Sequence, residues 1–183
     1  MANSLSFSEY ENILNHFGQN KDEYNIFVET GSYKGDTIFE MKDHFREIHS
    51  IELQENLFDH CVNRFKNNEN IKIHYGDSTT VLPQVIGSMS DNIVFFLDGH
   101  WCSPPCGRGI KDIPLLEEME SIVKLPNSNC LIIIDDLRLF GAHRHEDWSQ
   151  ITEENLLKFV DGRKFQKLIN NDRFIIFLEK NSD

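Results

Sequence analysis

Apolar positions along this chain change their spacing repeatedly, and the changes mark its elements. Short runs rich in β-branched and aromatic residues fall at 24–28, 47–53, 71–75, 92–97, 130–134, 165–169 and 173–179. Such runs read as strands. Between them the apolar residues recur every three or four positions, as in Phe7, Tyr10, Ile13, Leu14 and Phe17, then Leu57, Cys61, Val62 and Phe65, then Ile113, Leu116, Met119 and Ile122. That spacing lines one face of a helix. Helices are predicted at 6–17, 36–45, 56–65, 78–86, 112–123 and 152–160. The runs Asn-Ile-Val-Phe-Phe-Leu at 92–97 and Cys-Leu-Ile-Ile-Ile at 130–134 are almost wholly apolar, as central parallel strands covered on both faces must be. Five strands alternate with helices before a closing pair of strands joined by Asn170-Asn171-Asp172. This order predicts an α/β fold, a doubly wound, mostly parallel seven-stranded sheet with a C-terminal antiparallel hairpin strand. No linker or repeat interrupts it, so 1–183 reads as a single domain, with 1–20 a helix covering the sheet or the site.

Composition narrows the field. There are 30 Asp and Glu against 18 Lys and Arg, a formal net charge of −12. Such a charge argues against nonspecific attraction to nucleic acid or an anionic membrane, and the expected partner is a small-molecule acceptor, with no nucleic acid and no membrane. The first residues show no basic segment followed by an apolar run, so no signal peptide is expected, and no stretch has the ~18 apolar residues of a membrane span. Cys61, Cys102, Cys106 and Cys130 do not form a disulfide framework. A cytoplasmic, reducing location is the expectation, with Cys102 and Cys106 as two reduced thiols in a Pro- and Gly-rich loop. A homo-oligomer through the N-terminal helix is left open.

The candidate chemistry sits where the strands end. The segment 27–37 reads Phe-Val-Glu-Thr-Gly-Ser-Tyr-Lys-Gly-Asp-Thr, a strand, a turn bracketed by Gly31 and Gly35, and a helix start. Glycines there let backbone approach a ligand closely. The pattern is E-x-G-x-x-x-G rather than the dinucleotide pattern G-x-G-x-x-G, and Glu29 suits a ligand carrying positive charge. Glu52 ends the next strand about twenty residues on, where an acid can accept from both ribose hydroxyls. Gly76-Asp77-Ser78 follows the third strand; Asp77 can meet an adenine amino group or cap the next helix. Asp98-Gly99-His100 and Asp135-Asp136 follow the two apolar strands. Ligands of such sheets lie outside the carboxyl ends of the strands, and an acid stands at each of five ends.

These residues resemble those of class I S-adenosylmethionine-dependent methyltransferases. Glu29 to Gly35 resembles the first motif of that family, with Ser32 inside it, Glu52 its ribose-binding acid, and Gly76-Asp77-Ser78 its adenine-side motif. Leu97-Asp98-Gly99-His100 and Ile134-Asp135-Asp136 resemble the macrocin O-methyltransferase and cephalosporin hydroxylase-like group, in which an Asp-Gly-Asp segment and a later Asp-Asp pair hold a divalent cation. His100 stands where that group has a second Asp. The resemblance implies a Rossmann-like fold and S-adenosylmethionine bound by Glu29, Gly31, Ser32, Gly35, Glu52, Asp77, Ser78 and Asp98. It implies Asp98, Asp135 and Asp136 as metal ligands, three carboxylates that suit Mg²⁺ or Mn²⁺ better than a softer ion. The expected reaction is metal-assisted methylation of a small-molecule or sugar hydroxyl, such as a nucleotide sugar, with His100 and Asp98 catalytic and His100 the general base. Arg108, Arg138 and Arg144 are candidates for an anionic acceptor, and His143 and His145 reserve contacts. Two readings stand beside it: Zn²⁺ held by His100, Cys102, Cys106 and His143 or His145, and a chain without catalysis or with a nicotinamide cofactor.

Overall fold

The computed structural model describes residues 4–101, 106–143 and 146–181. An α-helix, α1 (Phe7–His16), and a short 3₁₀ helix (Lys21–Glu23) precede the sheet. Then follow β1 (Tyr24–Thr30), α2 (Asp36–Met41), β2 (Glu47–Glu52), α3 (Glu55–Arg64), β3 (Ile71–Tyr75), α4 (Ser78–Ile86), β4 (Asn92–Leu97), α5 (Leu115–Ile122), β5 (Cys130–Ile134), α6 (Glu153–Phe159), β6 (Phe165–Asn170) and β7 (Arg173–Leu178). The strands form one seven-stranded sheet in the order β3-β2-β1-β4-β5-β7-β6. The first five are parallel, and β7 runs antiparallel between β5 and β6. This is the doubly wound sheet with a closing hairpin that the apolar pattern predicts.

The period of two along the strands builds both layers of the core. In β4, Ile93 and Phe95 face the α4, α5 and α6 side, meeting Leu82, Met119, Ile122 and Leu156. Val94 and Phe96 face the other side, with Tyr10, Leu14, Ile38 and Met41 from α1 and α2. Both faces are therefore closed, which is why β4 and β5 carry no polar residue inward. The apolar face of α1 is spent on the sheet, and its N-terminal approach reaches the site, since Leu5 N donates to Thr37 Oγ1 at 3.3 Å.

Local signals set most boundaries. Ser6, Asp77 and Thr152 cap α1, α4 and α6 by accepting from Glu9 N, Thr79 N and Asn155 N, each covering a helix-end N–H that has no partner within the helix. Two helices are shorter than expected. Asn70 Nδ2 takes the carbonyls of Lys42 and Phe45 at 2.9 and 3.0 Å, so α2 stops at Met41. Pro114 stands at the N-cap of α5, so that helix begins at Leu115 rather than at 112. In the other direction, β1 extends to Thr30, which puts Glu29 inside the strand rather than after it.

Strand β1 pairs with β2 on one side and β4 on the other. The chain winds outward in opposite directions from that point, and a crevice opens past the strand ends there. No helix among the described residues is long and apolar enough to cross a membrane.

Candidate active site

A cleft of about 1030 Å³ opens at this switch point, lined by Glu29, Gly31, Ser32, Glu52, Asp77, Ser78, Asp98, His100 and Asp136 among others. The turn after β1 is held tightly. Gly31 has φ +84° and lies so close to the Asp98 carbonyl that a Cβ would collide with it. Its N–H and that of Ser32 both donate to Ile51 O, at 2.9 and 3.3 Å. Gly35, at φ +80°, backs onto the Phe65 ring in the same way. The two glycines are required by backbone angle and by space at once.

The β1–β2 half of the cleft satisfies its acids with neutral donors. Ser50 Oγ donates to Glu29 Oε2 at 2.5 Å, and Ser32 Oγ lies 2.5 Å from Ser50 Oγ. Burial pushes the Glu29 carboxyl up to about 8 in spite of the Ser50 and Thr37 hydroxyls. Glu52 Oε2 accepts from Tyr33 N and its Oε1 from Gln54 N, both at 2.8 Å. Burial raises Glu52 too, with those N–H groups opposing. Asp77 has both oxygens in use: Oδ1 accepts from Thr79 N at 2.9 Å and from its hydroxyl at 2.6 Å, and Oδ2 from Ile110 N at 2.8 Å. Asp77 thus caps α4 and ties down the 106–111 segment.

The β4–β5 half concentrates charge. Ligand atoms of Asp98, His100 and Asp136 lie within 4.8 Å of one another. His100 Nε2 is 2.6 Å from Asp136 Oδ2 and 3.7 Å from Asp98 Oδ1. His100 Nδ1 is 3.1 Å from Trp101 O, a carbonyl that can only accept, so Nδ1 carries a proton. Burial pushes Asp98 up to about 8, with the charge of Asp135 adding to it. Burial would lower His100, but the bond to Asp136 and the charge of Asp98 outweigh it and raise it. Burial would raise Asp136, but His100 and Arg138 hold it below the usual range. Trp148 closes the back of the cluster, its ring 4.9 Å from the His100 ring and at 73° to it.

The expected metal trio is therefore not the one brought together. His100 joins Asp98 and Asp136, while Asp135 is turned to Arg173, its Oδ1 3.1 Å from Nε. The left-handed backbone of Asp136, φ 62°, turns its side chain toward His100. Both ring nitrogens of His100 already have partners, Nδ1 the Trp101 carbonyl and Nε2 the Asp136 carboxylate, so a general-base role would require it to give up one of these contacts. Of the anion-binding candidates, Arg108 stacks on Trp101 and pairs with Asp112, and Arg138 bridges Asp136 and Asp172. His143 is exposed and paired with Asp147. Cys102, Arg144 and His145 lie outside the described residues. Cys106 is disulfide-bonded, so it is neither the reduced thiol expected nor the zinc thiolate of the alternative reading. Trp148, Arg173 and Glu9 were not legible as site residues, although an arginine opening the run Arg-Phe-Ile-Ile-Phe-Leu is out of pattern for a buried strand.

By sequence the chain matches no protein-family model and no curated protein. Its fold is similar to that of an S-adenosylhomocysteine-bound methyltransferase from Podospora anserina, at 16% identity and TM-score 0.60, covering 96% of this chain and 80% of that one. It is also similar to an rRNA methylase from Streptococcus thermophilus, at 16% identity and TM-score 0.51, covering 87% and 89%. An O-methyltransferase family protein from Burkholderia thailandensis aligns at 8% identity and TM-score 0.57, covering 94% and 56%. The exclusion of nucleic acid drawn from net charge does not stand, since an rRNA methylase is among these structures. Net charge sums the whole surface, and a macromolecular substrate meets only the rim of one cleft. The chain has the Rossmann-like α/β fold of S-adenosylmethionine-dependent methyltransferases, with a seven-stranded sheet closed by an antiparallel hairpin.

Proposed function

We propose that this protein is an S-adenosylmethionine-dependent methyltransferase that acts on a hydroxyl acceptor with the help of a divalent cation at Asp98, His100 and Asp136. The observation that carries the cation is the orientation of His100. Its Nδ1–H is fixed on Trp101 O, the outer partner that metal-binding imidazoles typically have. Nε2 is thereby aimed between the carboxylates of Asp136 and Asp98. The donors fit a small hard ion, and the single nitrogen moves the preference from Mg²⁺ toward Mn²⁺. Bound there, such an ion lowers the pKa of an acceptor hydroxyl and orients it.

The remaining roles belong to the chain. Glu52, fixed by two N–H groups, has lone pairs left for the ribose hydroxyls. Asp77 and Ser78 would border the adenine, and the backbone of Gly31 and Ser32 would face the methionine portion, of a cofactor bound in the cleft. Glu29 and Asp98, both lining the cleft, would offer carboxyl groups to the positive charge of the bound cofactor. The protein aligns acceptor oxygen, methyl carbon and sulfur, and alignment of this kind is worth about 7–11 kcal/mol. Ser4, Arg138, Leu139 and Glu146 also line the cleft, and an acceptor would meet them there. Sugar hydroxyls and an RNA 2′-hydroxyl present the same reacting group.

Calorimetric titration with S-adenosylmethionine and S-adenosylhomocysteine, each with and without Mn²⁺, tests the reading. Saturable binding of both is expected, with a separate Mn²⁺ heat. Absence of cofactor binding under every condition would sink it and return the nicotinamide and non-catalytic readings to the front. Methyl transfer to sugars against RNA then separates the acceptors.

A further inference from the structure

The register of β4 and β5 sets Leu97 opposite Ile134, so Asp98 and Asp135 leave the sheet side by side. On position alone Asp135 would be the third donor of the cluster. Arg173 prevents it. This residue opens β7, and the antiparallel pairing of Ile134 with Phe174 brings it back to the edge where β5 ends. Its Nε lies 3.1 Å from Asp135 Oδ1, and its other arm pairs with Glu9 Oε2 of α1. The second Glu9 oxygen accepts from Asn171 Nδ2 at 3.0 Å. The guanidinium lies 5.5 Å from the centroid of the Phe96 ring, and Arg173 and Asp135 are both buried. A planar fork fixed between two carboxylates and a ring cannot release one of them by rotation.

We infer that Arg173 is a positioning residue: anchored by Glu9 of α1, it holds the Asp135 carboxylate out of the Asp98–His100–Asp136 cluster and so limits that cluster to two carboxylates and one imidazole. The inference rests on the cation reading of the cluster, but it has a sign that simple damage to the fold lacks. Freeing Asp135 adds a donor, so cation binding should tighten rather than weaken.

The test is calorimetric titration of the full chain with Mn²⁺, with near-UV circular dichroism reporting that each variant is folded. Glu9→Met with Arg173→Met frees Asp135 without stranding a carboxylate on α1. Its Mn²⁺ dissociation constant should fall about tenfold or more, as for changes around a metal's own donors. Adding Asp135→Asn should bring it back to within about threefold of wild type, and Arg173→Lys should stay equally near it. A folded double variant that binds Mn²⁺ no more tightly than wild type overturns the inference. If the double variant does not fold, Arg173→Gln carries the test with the same sign. A site gained in the variant but missing in wild type would overturn the cation reading of the native cluster and, with it, this inference. No site in either would remove both.

Discussion

The two halves of the carboxyl edge use the same residue types to opposite ends. At β1 and β2, Glu29 and Glu52 are kept apart and surrounded by hydroxyls and backbone N–H groups. At β4 and β5, Asp98 and Asp136 are crowded against each other and bridged by an imidazole. The first arrangement presents acceptors that neutral donors have aligned, which fits a ligand rich in hydroxyls. The second leaves negative charge that only a cation or a proton can offset, because charge buried without a partner is costly. An acid at a strand end thus has no fixed meaning; its neighbours within hydrogen-bond reach decide it.

The contrast can be broken most strongly at Asp136. Asp136→Asn should reduce cation-stimulated methyl transfer by more than about 100-fold, beyond the effect of changes around a metal's outer partners, while the affinity for S-adenosylhomocysteine stays within about threefold. Equal loss of both would mean that the two halves are not separable. Glu52→Gln should do the reverse. It removes charged hydrogen bonds worth about 1.5–3 kcal/mol each, so cofactor affinity should fall roughly 10- to 100-fold, with the Mn²⁺ heat unchanged.

A smaller effect sharpens the picture of Glu29. Its folded pKa of about 8 lies above the usual 4.5, so its contribution to stability is present below 4.5 and is lost as pH rises through about 8. Glu29→Gln should flatten that part of the profile in thermal unfolding. A cationic ligand favours the carboxylate, so S-adenosylmethionine binding near neutral pH should release protons, seen as a calorimetric heat that depends on buffer ionisation enthalpy. In Glu29→Gln the share from this residue should vanish, leaving that of Asp98.

The sheet was largely legible because burial on two faces leaves an unmistakable apolar run, as in 92–97 and 130–134. The acids at the strand ends were legible for the same reason, each breaking such a run. Helix limits were less so. The end of α2 depends on Asn70, a residue distant in sequence that captures its carbonyls. The cluster was half legible. Nothing local distinguishes Asp135 from Asp136; the left-handed turn at Asp136 and the guanidinium of Arg173 choose between them, and Arg173 arrives through an antiparallel strand late in the chain. His100 was singled out as a base, yet the carbonyl of Trp101 and the carboxylate of Asp136 determine which ring atoms carry protons. The exclusion of nucleic acid asked too much of net charge, which is a property of the whole surface.

The pairing of Glu9 with Arg173 also bears on the order of assembly. These residues lie near opposite ends of the described chain, so their contact closes a very long loop, and contacts of that kind form late. Were β7 undocked, Asp135 would stand unrestrained beside Asp98 and the acid edge would carry its full repulsion. A folding intermediate with the parallel strands in place but β7 unpaired would have a cation preference different from that of the finished protein, and a tightly bound ion at that stage would compete directly with Arg173 for Asp135.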